Sequence, residues 1–128
     1  MTQSSSNVRE YTATGQSTET FGRVLCSARD QHWVADGPAQ NGCPGEAVGP
    51  AELFLSGVAS CGVELVQVLA REQNVPLKRV DVQIRAFQDR NAPARQDYST
   101  FNSVRVSFQL GGVSQAQAQD LVDKFKRR

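Results

Sequence analysis

The sequence predicts an α+β fold, and three observations carry that expectation. A largely apolar run of about twenty residues lies between Pro50 and Pro76, two segments of strict apolar–polar alternation follow it, and several short turn-bounded segments precede it. Apolar spacing that switches from a helical period to a period of two within one chain is the mark of mixed secondary structure.

The long run reads as a helix from its first residues. Gly49 is an acceptable cap, Pro50 occupies the position where a missing N–H costs nothing, and Glu52 places a negative charge in the first turn. Val75-Pro76 stops it. Phe54, Gly57, Val58, Leu65, Val68 and Leu69 stand three, four, seven or eight positions from Cys61, so the spacing predicts that Cys61 faces a core. A free cysteine in such a place is usually a small buried hydrophobe.

The alternating segments read as antiparallel strands, each with one face on a core. Val80, Val82 and Ile84 point opposite to Asp81, Gln83 and Arg85, while Val104, Val106, Phe108 and Leu110 point opposite to Arg105, Ser107 and Gln109. Residues 89–100, with Asn91-Ala92-Pro93 and several charges, are the connection. Ser114 and Gln117 then form a capping-box pattern, and Ala118, Leu121, Val122 and Phe125 make the apolar stripe of a second helix.

Before the long helix, residues 8–14 and 20–28 read as strands around a turn at Gly15-Gln16-Ser17-Thr18, with 32–35 a short third strand. Residues 37–49 are rich in glycine and proline and hold Cys43. That makes them a loop, either laid over a site or a plain connector.

Composition narrows the function classes. The 128 residues fit one domain, taken as 8–128 after a polar, serine-rich tail at 1–7 that lacks the apolar segment of a signal peptide or membrane anchor. A net charge of +1 gives no steering toward nucleic acid, and no membrane partner is expected. Cys26, Cys43 and Cys61 have no metal-ligand spacing, and their odd number argues against a closed disulfide framework, so the cytoplasm is the natural compartment. No cofactor is expected, since there is no glycine-rich phosphate loop. The single histidine, His32 beside Trp33, is read as structural.

The run Gly49-Pro50-Ala51-Glu52-Leu53-Phe54-Leu55-Ser56-Gly57-Val58-Ala59-Ser60-Cys61, preceded by Trp33-Val34-Ala35-Asp36-Gly37-Pro38, resembles the OsmC/Ohr family of thiol-dependent hydroperoxide reductases. The strands at 77–85 and 101–108 and the segment Gly111-Gly112-Val113-Ser114 at the head of the second helix resemble that family in the same order. The likeness covers the chain from about Arg23 onward. It implies an OsmC-like fold, an intertwined homodimer, and a peroxide-attacking cysteine at Cys61, with a hydroperoxide as substrate and a thiol as reductant.

That chemistry needs a thiolate, and a free thiol near pKa ≈ 8.5 is mostly protonated at neutral pH. Cys61 lies too far along its helix to draw on the dipole, and Glu64 on the same surface opposes the anion, so an arginine from elsewhere is implied. The family supplies an arginine held by a glutamate, but the expected hairpin here, Ala13-Thr14-Gly15-Gln16-Ser17-Thr18, has none. Arg23 and Arg29 are the candidates, with Arg29 favoured for its place at a strand end.

Glu52 stands nine residues before Cys61, about 180° around and roughly 13 Å along one helix. It can serve a site indirectly or in trans, or act as a first-turn charge. The position that carries the glutamate in the active branch is Ala51. The family's second cysteine after its last helix, and its closing strand, have no counterpart in the sequence, which leaves Cys43, Cys26 or an external thiol to resolve an oxidised Cys61. Two other readings stay open: a non-catalytic OsmC-fold dimer that binds a small hydrophobic molecule, and a purely structural dimerisation module.

Overall fold

A computed structural model describes residues 7–97 and 99–127. Most of the expected tail at 1–7 lies outside the described residues. The chain packs as two compact units, Met1–Pro50 and Ala51–Arg128.

The first unit is an antiparallel sheet of three strands in sequence order: β1 (Thr14–Ser17), β2 (Arg23–Ala28) and β3 (Gln31–Asp36). The expected strand at 8–14 is displaced: pairing starts at Thr14, opposite Ser27, and Gly15 lies within β1 rather than in a turn. The turn glycine is Gly22, whose φ of +81° suits a residue without Cβ. The Thr18 hydroxyl fixes this turn by donating to Thr20 O and Arg23 O, and Arg23 N donates to Thr20 O. Serine, threonine and glycine are spread through 15–22, so composition alone did not single out where the chain reverses. β2 and β3 pair around Arg29-Asp30, with Ala28 opposite Gln31 and Arg23 opposite Asp36. Beyond β3 a single 3-10 turn (Ala39–Asn41) starts a loop pinned by backbone bonds from Cys43 N to Pro38 O, Gly45 N to Gly37 O and Gly37 N to Gly22 O.

The second unit sets two helices against a hairpin. α1 (Pro50–Glu72) ends where Asn74 adopts a left-handed φ of 56° and Val75 N donates back to Ala70 O. β4 (Arg79–Phe87) pairs with β5 (Ser103–Gly111) over nine residues, Val80 opposite Leu110 and Phe87 opposite Ser103. α2 (Gln115–Lys126) carries the capping box that its sequence predicts, Ser114 Oγ accepting from Gln117 N and Gln117 Oε1 accepting from Ser114 N. Val66, Leu69, Ala70, Val80 and Leu121 form the core, with Val82, Phe108, Leu110 and Phe125 packed around them.

α1 meets the hairpin along Gly62, Val66, Leu69 and Ala70. A Cβ on Gly62 would stand 3.4 Å from Val82 and 3.5 Å from Phe108, so the glycine permits close approach of helix and sheet. Cys61 does not face this core; its side chain is exposed. One residue advances a helix by about 100°, so Cys61 falls on a second apolar face. Phe54 at 63% exposure and Val58 share that uncovered face. The periodicity of a helix with two apolar faces does not tell which one meets its own sheet. By length and composition α1 could also cross a membrane, although one side of it is committed to the hairpin.

Candidate functional site

Cys61 stands on the exposed apolar side of α1, where its thiol makes no hydrogen bond or ion pair among the described residues. The preceding Ser60 hydroxyl is turned back onto the helix, donating to Gly57 O at 3.1 Å. Toward the N-terminus, Phe54 packs at a tilt on Phe101 with ring centroids 6.4 Å apart. The surroundings offered by this unit are therefore small or apolar: Gly57, Val58 and Leu65 by helical spacing, with Glu64 the exposed charge beside them. Glu52 is exposed in the first turn of α1.

In the first unit, one of the two arginine candidates is fully engaged. Arg23 grips Asp36 through two parallel bonds, Nε to Oδ1 and Nη2 to Oδ2, both 2.8 Å, and Nη2 also reaches Glu46 Oε1 at 2.8 Å. Asp36 is fully buried and accepts further from Glu46 N at 3.1 Å and Ala47 N at 2.7 Å. The Arg23 hydrogen bonds, followed by that from Ala47 N–H, hold the Asp36 carboxyl far below the usual carboxylate range, and the same carboxylates raise the Arg23 guanidinium. Residue types alone did not mark Asp36 and Glu46. Counting back from a two-residue turn at Arg29-Asp30 would have placed Asp36 opposite Arg23.

Arg29 is arranged differently. It lies in the β2–β3 turn with φ 54°, a left-handed conformation that costs an L-residue strain, and its side chain has no ion pair among the described residues. With Glu10, Tyr11, Thr12, Ala13 and Ala28 it lines a small cleft of about 360 Å³. Its guanidinium is the candidate charge that is not already spent.

Cys43 is seated rather than loose. Its sulfur lies so close to two glycines that a Cβ on Gly22 would stand 2.4 Å from Sγ and one on Gly37 2.6 Å, while the thiol donates to Asn41 O at 3.9 Å. The glycines in and around this loop make room for the sulfur instead of mobilising it. Cys26, half-buried on β2, pairs across the ladder with Trp33. His32 Nδ1 is bonded to Ser27 Oγ at 2.7 Å across the same ladder. No group of three or more metal-binding side chains is found among the described residues.

Comparison with known proteins agrees with this architecture. Residues 43–128 match the family described as OsmC-like protein. A comparison with curated proteins gives no match. Among solved structures, an OsmC-like protein from Mycoplasma pneumoniae superposes with a TM-score of 0.79 at 15% identity, covering 94% of this chain and 82% of that one. An organic hydroperoxide resistance protein, OsmC, from Legionella pneumophila gives 0.70 at 21% identity, covering 95% and 85%. One from Elizabethkingia anophelis, with thiocyanate bound, gives 0.69 at 16%, covering 94% and 84%. Identities this low establish the shared fold and nothing finer.

Proposed function

The chain belongs to the OsmC-like protein family, and from that premise we propose that it reduces organic hydroperoxides with the thiol of Cys61. The observation that carries this reading is the exposure of Cys61 on an apolar face, where an alkyl hydroperoxide can approach the sulfur. The thiolate attacks the terminal peroxide oxygen and the O–O bond breaks. An alcohol leaves after taking up a proton, and sulfur is left as sulfenic acid. A second thiol then attacks that sulfur, releasing water and forming a disulfide that an external dithiol reduces. We assign stabilisation of the thiolate to Arg29, because two carboxylates already neutralise Arg23. Glu52 and Cys43 are kept as supporting groups, Cys43 as a resolving thiol that must first leave its slot.

The same apolar face calls for a cover. Phe54 and Val58 are the exposed apolar side chains to be covered, so we propose a homodimer in which a second copy packs against them and leaves Cys61 at the edge of the seam, open to substrate, with parts of one site able to come from either copy. The deciding measurement is the second-order rate of cumene hydroperoxide with the native chain and with Cys61→Ser. Consumption well above that of a free thiol, abolished in the variant, supports the reading. Equal rates in both would reject it. Light scattering that returns the mass of one chain at micromolar concentration would reject the dimer.

A further inference from the structure

We propose that the outer face of the β4–β5 hairpin binds a phosphate group between Arg85 and Arg105. These two residues stand directly opposite one another in the antiparallel ladder, on the side of the hairpin turned away from the core. Like charges at opposed positions destabilise a strand pair. Both guanidinium carbons also lie over the ring of Phe87, at 5.3 Å and 5.6 Å from its centroid. Neither arginine has an ion pair among the described residues. The one acid on this face of the strands, Asp81, is taken by Arg79 at 2.8 Å.

The neighbouring ladder pairs add hydrogen-bond donors without adding acids. Gln83 opposite Ser107 flanks the arginines on one side, and Phe87 opposite Ser103 flanks them on the other. Two exposed guanidinium forks on opposed residues, beside an aromatic ring and flanked along the ladder by an amide and hydroxyls, suit an oxyanion that can take bidentate bonds. Charge selects among oxyanions. A phosphate group carries about −1.5 to −2 at neutral pH and balances both arginines, whereas a carboxylate balances one. A net charge of +1 and a single opposed pair limit the ligand to one phosphate group rather than a nucleic-acid backbone.

The test uses the full chain and inorganic phosphate at pH 7, with ionic strength held constant by sodium chloride and acetate as the parallel arm. In the native protein, the Nε–Hε resonances of Arg85 and Arg105 are expected to shift together and saturably on phosphate addition, with little response to acetate. Either Arg85→Gln or Arg105→Gln is expected to weaken the phosphate midpoint by about tenfold or more, the loss of a charge-assisted bond. In phosphate-free buffer each variant should melt no lower than the native chain, because the like-charge pair is gone. The proposal is overturned if the two resonances do not saturate together, if acetate matches phosphate, or if the variants respond to phosphate as the native chain does.

Discussion

Replacing Gly37 by alanine should wedge Cys43 out of its slot, and the geometry gives the size of the effect. The new Cβ would lie 2.6 Å from Cys43 Sγ and 3.0 Å from its Cβ, against about 3.5–4.0 Å for comfortable non-bonded contact. The sulfur must therefore retreat by about 1 Å. Gly22 already borders it, since a Cβ there would stand 2.4 Å from the same sulfur. Overpacking of this kind costs about 1–3 kcal/mol, and each kcal/mol lowers Tm by roughly 2–8 °C in domains of this size range. Thermal melts of native, Gly37→Ala, Cys43→Ala and the double variant form a cycle. The double variant should recover much of the loss, because the clash with sulfur is gone and only the 3.0 Å contact to Cβ persists. Thiol labelling supplies the functional half: Cys43 should label slowly in the native chain and faster in Gly37→Ala. If Gly37→Ala costs as much without the sulfur as with it, or native Cys43 labels as fast as in unfolded chain, the slot is not what holds the thiol.

The second unit was legible in the sequence because each of its elements has one dominant period. Val80, Val82 and Ile84 against Val104, Val106 and Phe108 fixed both the strands and their inward faces, and the Ser114–Gln117 box marked the start of α2. The first unit was harder for a physical reason. Its turn is set by the Thr18 hydroxyl and by Gly22 in a left-handed conformation, within a stretch where Gly15, Ser17, Thr18 and Thr20 carry equal turn signals. Cys61 shows a different limit. Phe54, Val58 and Leu65 do share its face, as the spacing predicts, yet the hairpin packs on the adjacent stripe through Gly62, where the absent side chain lets Val82 and Phe108 come close. The Arg23–Asp36–Glu46 cluster joins a strand start, a strand end and a loop; only the pairing register brings the first two together.

Leu121, fully buried where α2 meets the core, should cost about 2–5 kcal/mol on change to alanine, read from denaturant melts; a loss under about 1 kcal/mol would mean that α2 is not anchored there. Arg29→Gly and Arg29→Ala separate backbone from charge: both should slow Cys61 alkylation at neutral pH alike if the guanidinium supports the thiolate, while only the glycine should relieve the strain at φ 54°, by about 1 kcal/mol, and raise Tm. Unchanged alkylation in both would remove Arg29 from the mechanism. Asp36 sets the acid limb of stability. Its folded-state pKa lies below that of the unfolded chain, near 3.9, chiefly because Arg23 and then Ala47 N–H bond its carboxylate. The unfolded chain therefore takes up the proton first as pH falls, so the contribution of Asp36 is complete at neutral pH, begins to decline below about pH 5, and is lost as pH passes down through the folded value. Asp36→Asn removes the charge that Arg23 and the loop amides are built around. It should lower Tm at pH 7 and flatten the decline between pH 5 and 3. Parallel acid limbs for the native chain and this variant would show that other carboxylates govern acid unfolding, and that the ion cluster tying β2, β3 and the Glu46 loop together is not the part that fails first.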